Sequence, residues 1–156
     1  MKIRFLVVGK TEKEYLEEGI DRYVQRLLHY IPFEIKVVPE LKNSKSMTEK
    51  QQKDKEGKLI LQLVEEGELI LLDERGKEYT SEKFADFLDK KIRQGIKQLT
   101  FVVGGPYGFS EAVYRQASAL VSLSQMTFSH QMIRLFFVEQ LYRAFTIMRG
   151  EPYHHK

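Results

Sequence analysis

Short apolar runs alternate with amphipathic stretches along the whole chain, and this alternation narrows the fold more than any other feature. Ile3 to Val8 is an apolar, β-prone run ending at Gly9, which reads as a buried strand. Thr11, with Glu14 three positions on, has the form of a capping box. The helix behind it would turn Leu16, Ile20, Tyr23, Val24, Leu27 and Leu28 inward and be stopped by Pro32. Phe33 to Val38 reads as a second strand, with Pro39 at its end. A second helix begins near Thr48, buries Leu59, Ile60, Leu63 and Val64, and ends by Gly67. Leu69 to Leu72 is the third strand.

Ser81 is placed to cap a third helix, with Phe84, Phe87, Leu88 and Ile92 inward and Gly95 at its exit. Leu99 to Val103 is the fourth strand, Ser110 opens a short helix through Ala117, and Leu120 to Leu123 gives a short fifth strand. The last helix runs from about His130 to Arg149, closed by Gly150 and Pro152. The expected class is α/β, a mostly parallel sheet with helices on both faces. Such sheets bind ligands at the carboxyl ends of their strands.

At 156 residues the chain fits one domain, and neither an internal repeat nor a low-complexity tract divides it. The stretch nearest to a linker, Lys42 to Lys58, runs straight into a helical pattern. Hydrophobic residues make up 42% and charged residues 30%, as in ordinary globular proteins. No membrane span is expected, because the longest apolar candidate, Met132 to Met148, is broken by Arg134, Glu139, Gln140 and Arg143. Ile3 to Val8 is too short for the apolar core of a secretory signal. The sequence has no cysteine, so disulfides and thiolate metal sites are excluded, and a cytoplasmic protein is the expectation. The net charge of +3 permits a nucleic-acid partner without requiring one.

Four segments are candidates for chemistry. Leu72-Asp73-Glu74-Arg75-Gly76 lies where a buried strand meets a polar turn, although the pattern alone favours an ordinary strand exit. Gly104-Gly105-Pro106-Tyr107-Gly108 places three glycines in five residues after a strand, where a backbone can come close to a ligand and adopt positive φ. It has neither the G-x-G-x-x-G spacing of a dinucleotide site nor the Gly-Lys-Ser/Thr of a P-loop, and a simple turn fits it equally. Leu123-Ser124-Gln125-Met126-Thr127-Phe128 offers small polar groups and backbone amides that suit an adenine edge and a ribose. Thr127 or Ser129 as a helix N-cap would explain the hydroxyls, but not the whole string. The fourth is the terminus, with Arg143, Arg149, Glu151, Pro152, Tyr153, His154, His155 and Lys156. Adjacent histidines chelate poorly, and no carboxylate or cysteine supports them, so no metal is expected. His29 reads as a surface residue.

The last helix is apolar around nearly its whole circumference, with Met132, Ile133, Leu135, Phe136, Phe137, Val138, Leu141, Tyr142, Phe145, Ile147 and Met148. Such a helix must be buried on more than one side, and one small domain offers one core, so a twofold homodimer is expected.

Taken together, these segments resemble the RlmH family of the SPOUT superfamily, enzymes that N3-methylate a pseudouridine in large-subunit (23S) ribosomal RNA. The resemblance spans the chain as a single SPOUT methyltransferase domain over residues 1–156. It begins with Lys2 to Lys10 and includes the Gly104 to Gly108 loop. It is densest in the string from Leu123 to Lys156, with Glu139-Gln140-Leu141-Tyr142-Arg143-Ala144 and the Pro-Tyr-His ending. It implies a C-terminal trefoil knot, which periodicity does not indicate and topology rules disfavour.

The resemblance also implies S-adenosyl-L-methionine as cofactor, held at Leu72, Gly104 and Leu123, Ser124, Gln125, Met126, Thr127 and Phe128. A homodimer is implied too, with ribosomal RNA in the assembled ribosome as partner. Family members often end in Tyr-His plus one or two residues, and here a second histidine intervenes, so the family's histidine maps to His154. Histidine ordinarily titrates near pH 6.5, so His154 is the expected acceptor of the N3 proton. Tyr153 would hold the target base, and Arg143 and Arg149 would meet phosphates or uracil carbonyls. In a dimer, the tail of one subunit could close over the cofactor of the other. Two alternatives stay open: a non-catalytic RNA- or nucleotide-binding module of the same fold, and methylation of a different RNA base.

Overall fold

Five strands, all parallel, form one sheet in the order β2-β1-β4-β3-β5, seen in a computed structural model that describes residues 1–155. Lys156 lies outside the described residues. The elements follow one another as β1 (Lys2–Val8), α1 (Glu14–Leu27), β2 (Phe33–Val38), α2 (Glu49–Leu63), β3 (Glu68–Glu78), α3 (Ser81–Arg93), β4 (Gln98–Val103), α4 (Glu111–Gln116), β5 (Ala119–Ser122) and α5 (Met132–Met148). The predicted alternation is therefore the observed fold class.

Period-two burial explains why helices are needed on both faces. Ile3, Phe5 and Val7 of β1 point into a core shared with α1, α3 and α5, whereas Leu6 and Val8 point into one shared with α2 and α4. Phe137 of α5 packs on Phe5 and Phe101 with ring centroids 4.6 and 4.9 Å away, so it joins the last helix to the central strands. Such aromatic pairs contribute about 0.5–1.5 kcal/mol each beyond area burial.

Several expectations are corrected. Thr11 does not cap α1, which starts after an extended Lys13 with no side-chain cap. The Thr11 hydroxyl instead accepts a hydrogen bond from the Arg134 guanidinium at 3.2 Å. The cap of α3 is Thr80, whose hydroxyl accepts from the Lys83 amide, while Ser81 donates to Gln140. Leu28 and Ile92, expected inside, are 48% and 37% exposed, each in the closing turn of its helix. Thr48 and Gln51 do form a reciprocal capping box at α2.

β3 is the largest departure. It runs past Leu72 to Glu78, and β5 pairs with it on both sides of an irregularity, Val121 facing Leu72 and Lys77. Leu72 to Gly76 is therefore a bulge against β5 rather than a strand exit into solvent.

Candidate active site

Parallel strands place like ends together, and β4, β3 and β5 are neighbours in the sheet, so the segments leaving them share one edge. A cleft of about 300 Å³ opens there. Its walls are Leu72 to Glu74, Val103 to Pro106 with Gly108 and Phe109, and Leu123, Ser124 and Met126 to His130, with Ile133 of α5 behind. Of the residues expected at a cofactor, Leu72, Gly104, Leu123, Ser124, Met126, Thr127 and Phe128 line this cleft and Gln125 does not. Three segments chosen separately from the sequence thus meet in space.

Local hydrogen bonds fix the walls. Ser122 Oγ donates to the Ser124 carbonyl at 2.9 Å, and Ser124 Oγ accepts from the Met126 amide at 2.9 Å, folding the segment after β5 back on itself. Thr127 Oγ1 donates to Glu74 Oε2 at 3.3 Å, tying that segment to the β3 bulge. Ser129 Oγ accepts from the Met132 amide at 3.0 Å and closes the turn leading into α5, but the cap position of that helix is Gln131, which makes no side-chain cap, so neither Thr127 nor Ser129 is its N-cap. Asp73 accepts from Tyr114 and from the Arg75 amide and side chain. Burial pushes the Asp73 carboxyl up, but those bonds and the Arg75 charge outweigh it and hold the group below the usual carboxylate range.

The glycine loop rests on a residue that pattern reading missed. Glu56 of α2 is 5% exposed, and a Cβ on Gly105 would lie 2.7 Å from its Oε1. Burial, supported by the charge of Glu40, pushes the Glu56 carboxyl up despite hydrogen bonding from Gln52 and the nearness of His130. Glu56 stands four residues before the buried Ile60 on the same helix face, a spacing that could have revealed it. Gly108 alone in the loop has positive φ, at 81°.

Arg134 was expected only to interrupt an apolar run, yet it is 1% exposed. Its guanidinium donates to the carbonyls of Val8, Gly9 and His130 at 2.8, 2.9 and 3.0 Å, pinning the start of α5 to the end of β1. The spacing of Arg134, Phe137, Val138 and Leu141 puts it on the buried stripe.

Arg143, Tyr153 and His154 form a separate cluster, and none of the described terminal residues lines the cleft. Glu139 Oε1 accepts from Arg143 Nε at 3.1 Å, from Arg143 Nη2 at 2.5 Å and from the Tyr153 hydroxyl at 3.0 Å. The Tyr153 proton is thereby used, so the Tyr23 hydroxyl, 3.2 Å away, donates to Tyr153. Burial and these contacts push the Tyr153 phenol up, and the Glu139 hydrogen bond does the same for the Arg143 guanidinium. Arg143 also lies over the Tyr153 ring, 4.7 Å from its centroid. His154 Nδ1 is 3.1 Å from Arg143 Nη1, and Nε2 is 3.0 Å from Glu82 Oε1. The expected Arg143, Tyr153 and His154 thus come together, joined by Glu139, Tyr23 and Glu82. Arg149 lies over Tyr30, whose hydroxyl donates to Glu151 and is pushed up to about 12, first by that bond and then by burial.

Among the described residues, no helix is long and apolar enough to cross a membrane, and no group of three or more histidines or acidic side chains is spaced to hold a metal ion. Phe128 and Phe136 touch each other beside the cleft, with centroids 5.2 Å apart, and remain 40% and 42% exposed.

The family model described as "Predicted SPOUT methyltransferase" matches residues 1–154. A protein of Parabacteroides distasonis named ribosomal RNA large subunit methyltransferase H is 59% identical over 157 residues, covering all of both chains. Proteins of the same name from Christiangramia forsetii and Bacteroides thetaiotaomicron are 55% and 54% identical over equal spans. A solved methylase-family structure from Haemophilus influenzae superposes with a TM-score of 0.55 at 12% identity, over 95% of this chain and 66% of that one. At that identity the likeness speaks for the fold alone.

Proposed function

This chain belongs to the SPOUT methyltransferase family, and from that premise we propose that it N3-methylates a pseudouridine in large-subunit ribosomal RNA, using S-adenosylmethionine. The observation that carries the reading is the convergence of the β3 bulge with the segments leaving β4 and β5 in one cleft, in a chain alike end to end to enzymes named for that RNA. The cleft suits the cofactor. Leu72, Val103, Leu123 and Ile133 give apolar walls for an adenosine, the Gly104 to Gly108 backbone allows close approach, and Asp73 and Glu74 bring carboxylates toward a cationic ligand.

When bound, S-adenosylmethionine supplies an electrophilic methyl group on a sulfonium. The protein's own residues must present N3 of the base in line with it, a positioning effect that can contribute several kcal/mol. N3 carries a proton in the neutral base, and His154 is the group proposed to receive it. Arg143 offsets negative charge growing on the uracil carbonyls, and Tyr153 holds the base plane. Because the terminal cluster does not line its own chain's cleft, the reading places it over the cleft of a second subunit. The exposed Phe128 and Phe136, next to the cleft, supply apolar surface for that twofold contact.

A C-terminal trefoil knot belongs to the same reading. It is supported by the match of the family model over residues 1–154. An enzyme of ribosomes works in the cytoplasm.

Deleting Tyr153 to Lys156 tests the reading. Calorimetry should find S-adenosylmethionine bound as before. Transfer of labelled methyl to ribosomes lacking the modification should fall by about two to four orders of magnitude, the usual contribution of a lost proton acceptor. Normal turnover by the truncated protein would reject the role given to the tail.

A further inference from the structure

Both nitrogens of His154 are occupied, and the chemistry of their partners fixes which of them carries the proton. Arginine can only donate, so the Arg143 guanidinium 3.1 Å from Nδ1 makes that atom an acceptor. A carboxylate can only accept, so Glu82, 3.0 Å from Nε2, takes a hydrogen bond from an N–H there. The neutral ring in this arrangement is the Nε2–H tautomer, with its single ring lone pair at Nδ1 and turned to Arg143. The neighbours leave little freedom to rearrange: the His154 side chain is 16% exposed and that of Arg143 23%. Arg143 is itself held from the other side by Glu139 at 2.5 and 3.1 Å.

We infer that Glu82, in the first turn of α3, is a positioning residue of the reaction: with Arg143 it sets the His154 tautomer, and it holds the proton on Nε2 once Arg143 moves away from Nδ1. The inference rests on the role given above to the tail. Its consequence is an order of events. Nδ1 can take a proton only after the guanidinium has moved off it, and a uracil carbonyl or phosphate is the kind of acceptor that draws an arginine away. Substrate binding to Arg143 and opening of the lone pair at Nδ1 are then one event. The proton leaves N3 for Nδ1, Nε2–H stays on Glu82, and the charge that forms on the imidazole faces a carboxylate. No proton need pass to Glu82.

Glu82 also has a bland role, since a carboxylate in the first turn of a helix is favoured by the helix dipole. Two variants separate the roles. Glu82→Ala removes the acceptor. Glu82→Gln keeps an amide oxygen able to accept the Nε2 proton while losing the charge.

With full-length protein, methyl-labelled S-adenosylmethionine and large ribosomal subunits lacking the modification, Glu82→Ala should lower kcat about tenfold or more. KM for the subunits and cofactor affinity should change little. Glu82→Gln should keep most of the activity. Nitrogen-15 NMR of the unmutated protein should show His154 protonated at Nε2 and bare at Nδ1; Arg143→Ala should keep that tautomer through Glu82, and Glu82→Ala/Arg143→Ala should populate the other. A proton found on Nδ1 in the unmutated protein, an undiminished kcat in Glu82→Ala, or equal losses in both variants would overturn the inference. If the unmutated protein fails to methylate these subunits, the proposed function falls, while the NMR spectrum still decides the tautomer.

Discussion

The cleft at the strand ends and the cluster at the terminus are built from different materials. Glycines, small hydroxyl residues and aliphatic side chains line most of the cleft, with few groups that titrate near neutrality. The terminal cluster packs a guanidinium, an imidazole, two carboxylates and two phenols into one hydrogen-bonded chain from Tyr23 to Glu82. One region offers shape and backbone to a ligand; the other holds reactive groups that are already engaged with each other. The cleft walls are crossed by the Thr127–Glu74 hydrogen bond, whereas any substrate of the cluster must compete for Arg143 and Tyr153 in a continuous network. Cofactor binding and chemistry should therefore be separable by mutation.

The strongest way to break that separation is to displace the glycine loop that forms one wall of the cleft. Gly105→Val forces a branched side chain against Glu56, where a Cβ alone would meet Oε1 at 2.7 Å. An overpacking cost of about 1–3 kcal/mol, where it falls on the loop geometry that binds cofactor, corresponds to a roughly five- to 150-fold loss of affinity. Calorimetry should find that loss with the tautomer of His154 unchanged.

A second prediction sharpens the contrast by dividing it between chains. At a cofactor concentration too low to load the Gly105→Val cleft, refolding that protein together with protein lacking Tyr153 to Lys156 should raise methylation well above what either shows alone. If the subunits pair at random, half the dimers are mixed and each has one intact composite site, so roughly a quarter of the native rate is expected. No recovery in a confirmed mixed dimer would put cleft and tail of one site on the same chain.

The smallest effect concerns stability. The Glu56 carboxyl is pushed up in the fold, so it contributes stability below its unfolded pKa and loses that contribution as pH rises through its folded pKa. Glu56→Gln removes the ionisation. Its Tm should sit near that of the unmutated protein in mild acid and above it in alkaline buffer, and thermal melts at several pH values measure the gap. A gap widening toward acid would contradict the sign.

Much of this was legible residue by residue. The apolar runs Ile3 to Val8, Phe33 to Val38 and Leu99 to Val103 announced strands because a strand buried on both faces has few polar positions. Thr48 and Ser110 announced helices because their hydroxyls accept amides at the first turn, as seen. Gly104 and the string from Leu123 to Phe128 were read at strand exits and lie there, whereas Leu72, read the same way, precedes a bulge inside β3. Gln125 was included by continuity of that string, but the fold back through Ser122 and Ser124 leaves it off the cleft wall.

Glu56, Arg134 and Glu82 were not found, for one reason. Each is a charged residue on a helix, where charge ordinarily means solvent, and each acts through a partner remote in sequence: Gly105, Val8 and His154.

The sequence by itself determined the class of fold, the succession of strands and helices along the chain and three segments that line one cleft, because periodicity and capping are local properties. Only the tertiary structure decided that β3 continues past Leu72 against β5, that a carboxyl lies under the glycine loop, and that the terminus joins Glu82 rather than its own cleft. Those facts depend on which surfaces meet once the sheet is covered, and hydrogen-bond partners tens of residues apart leave no periodic trace.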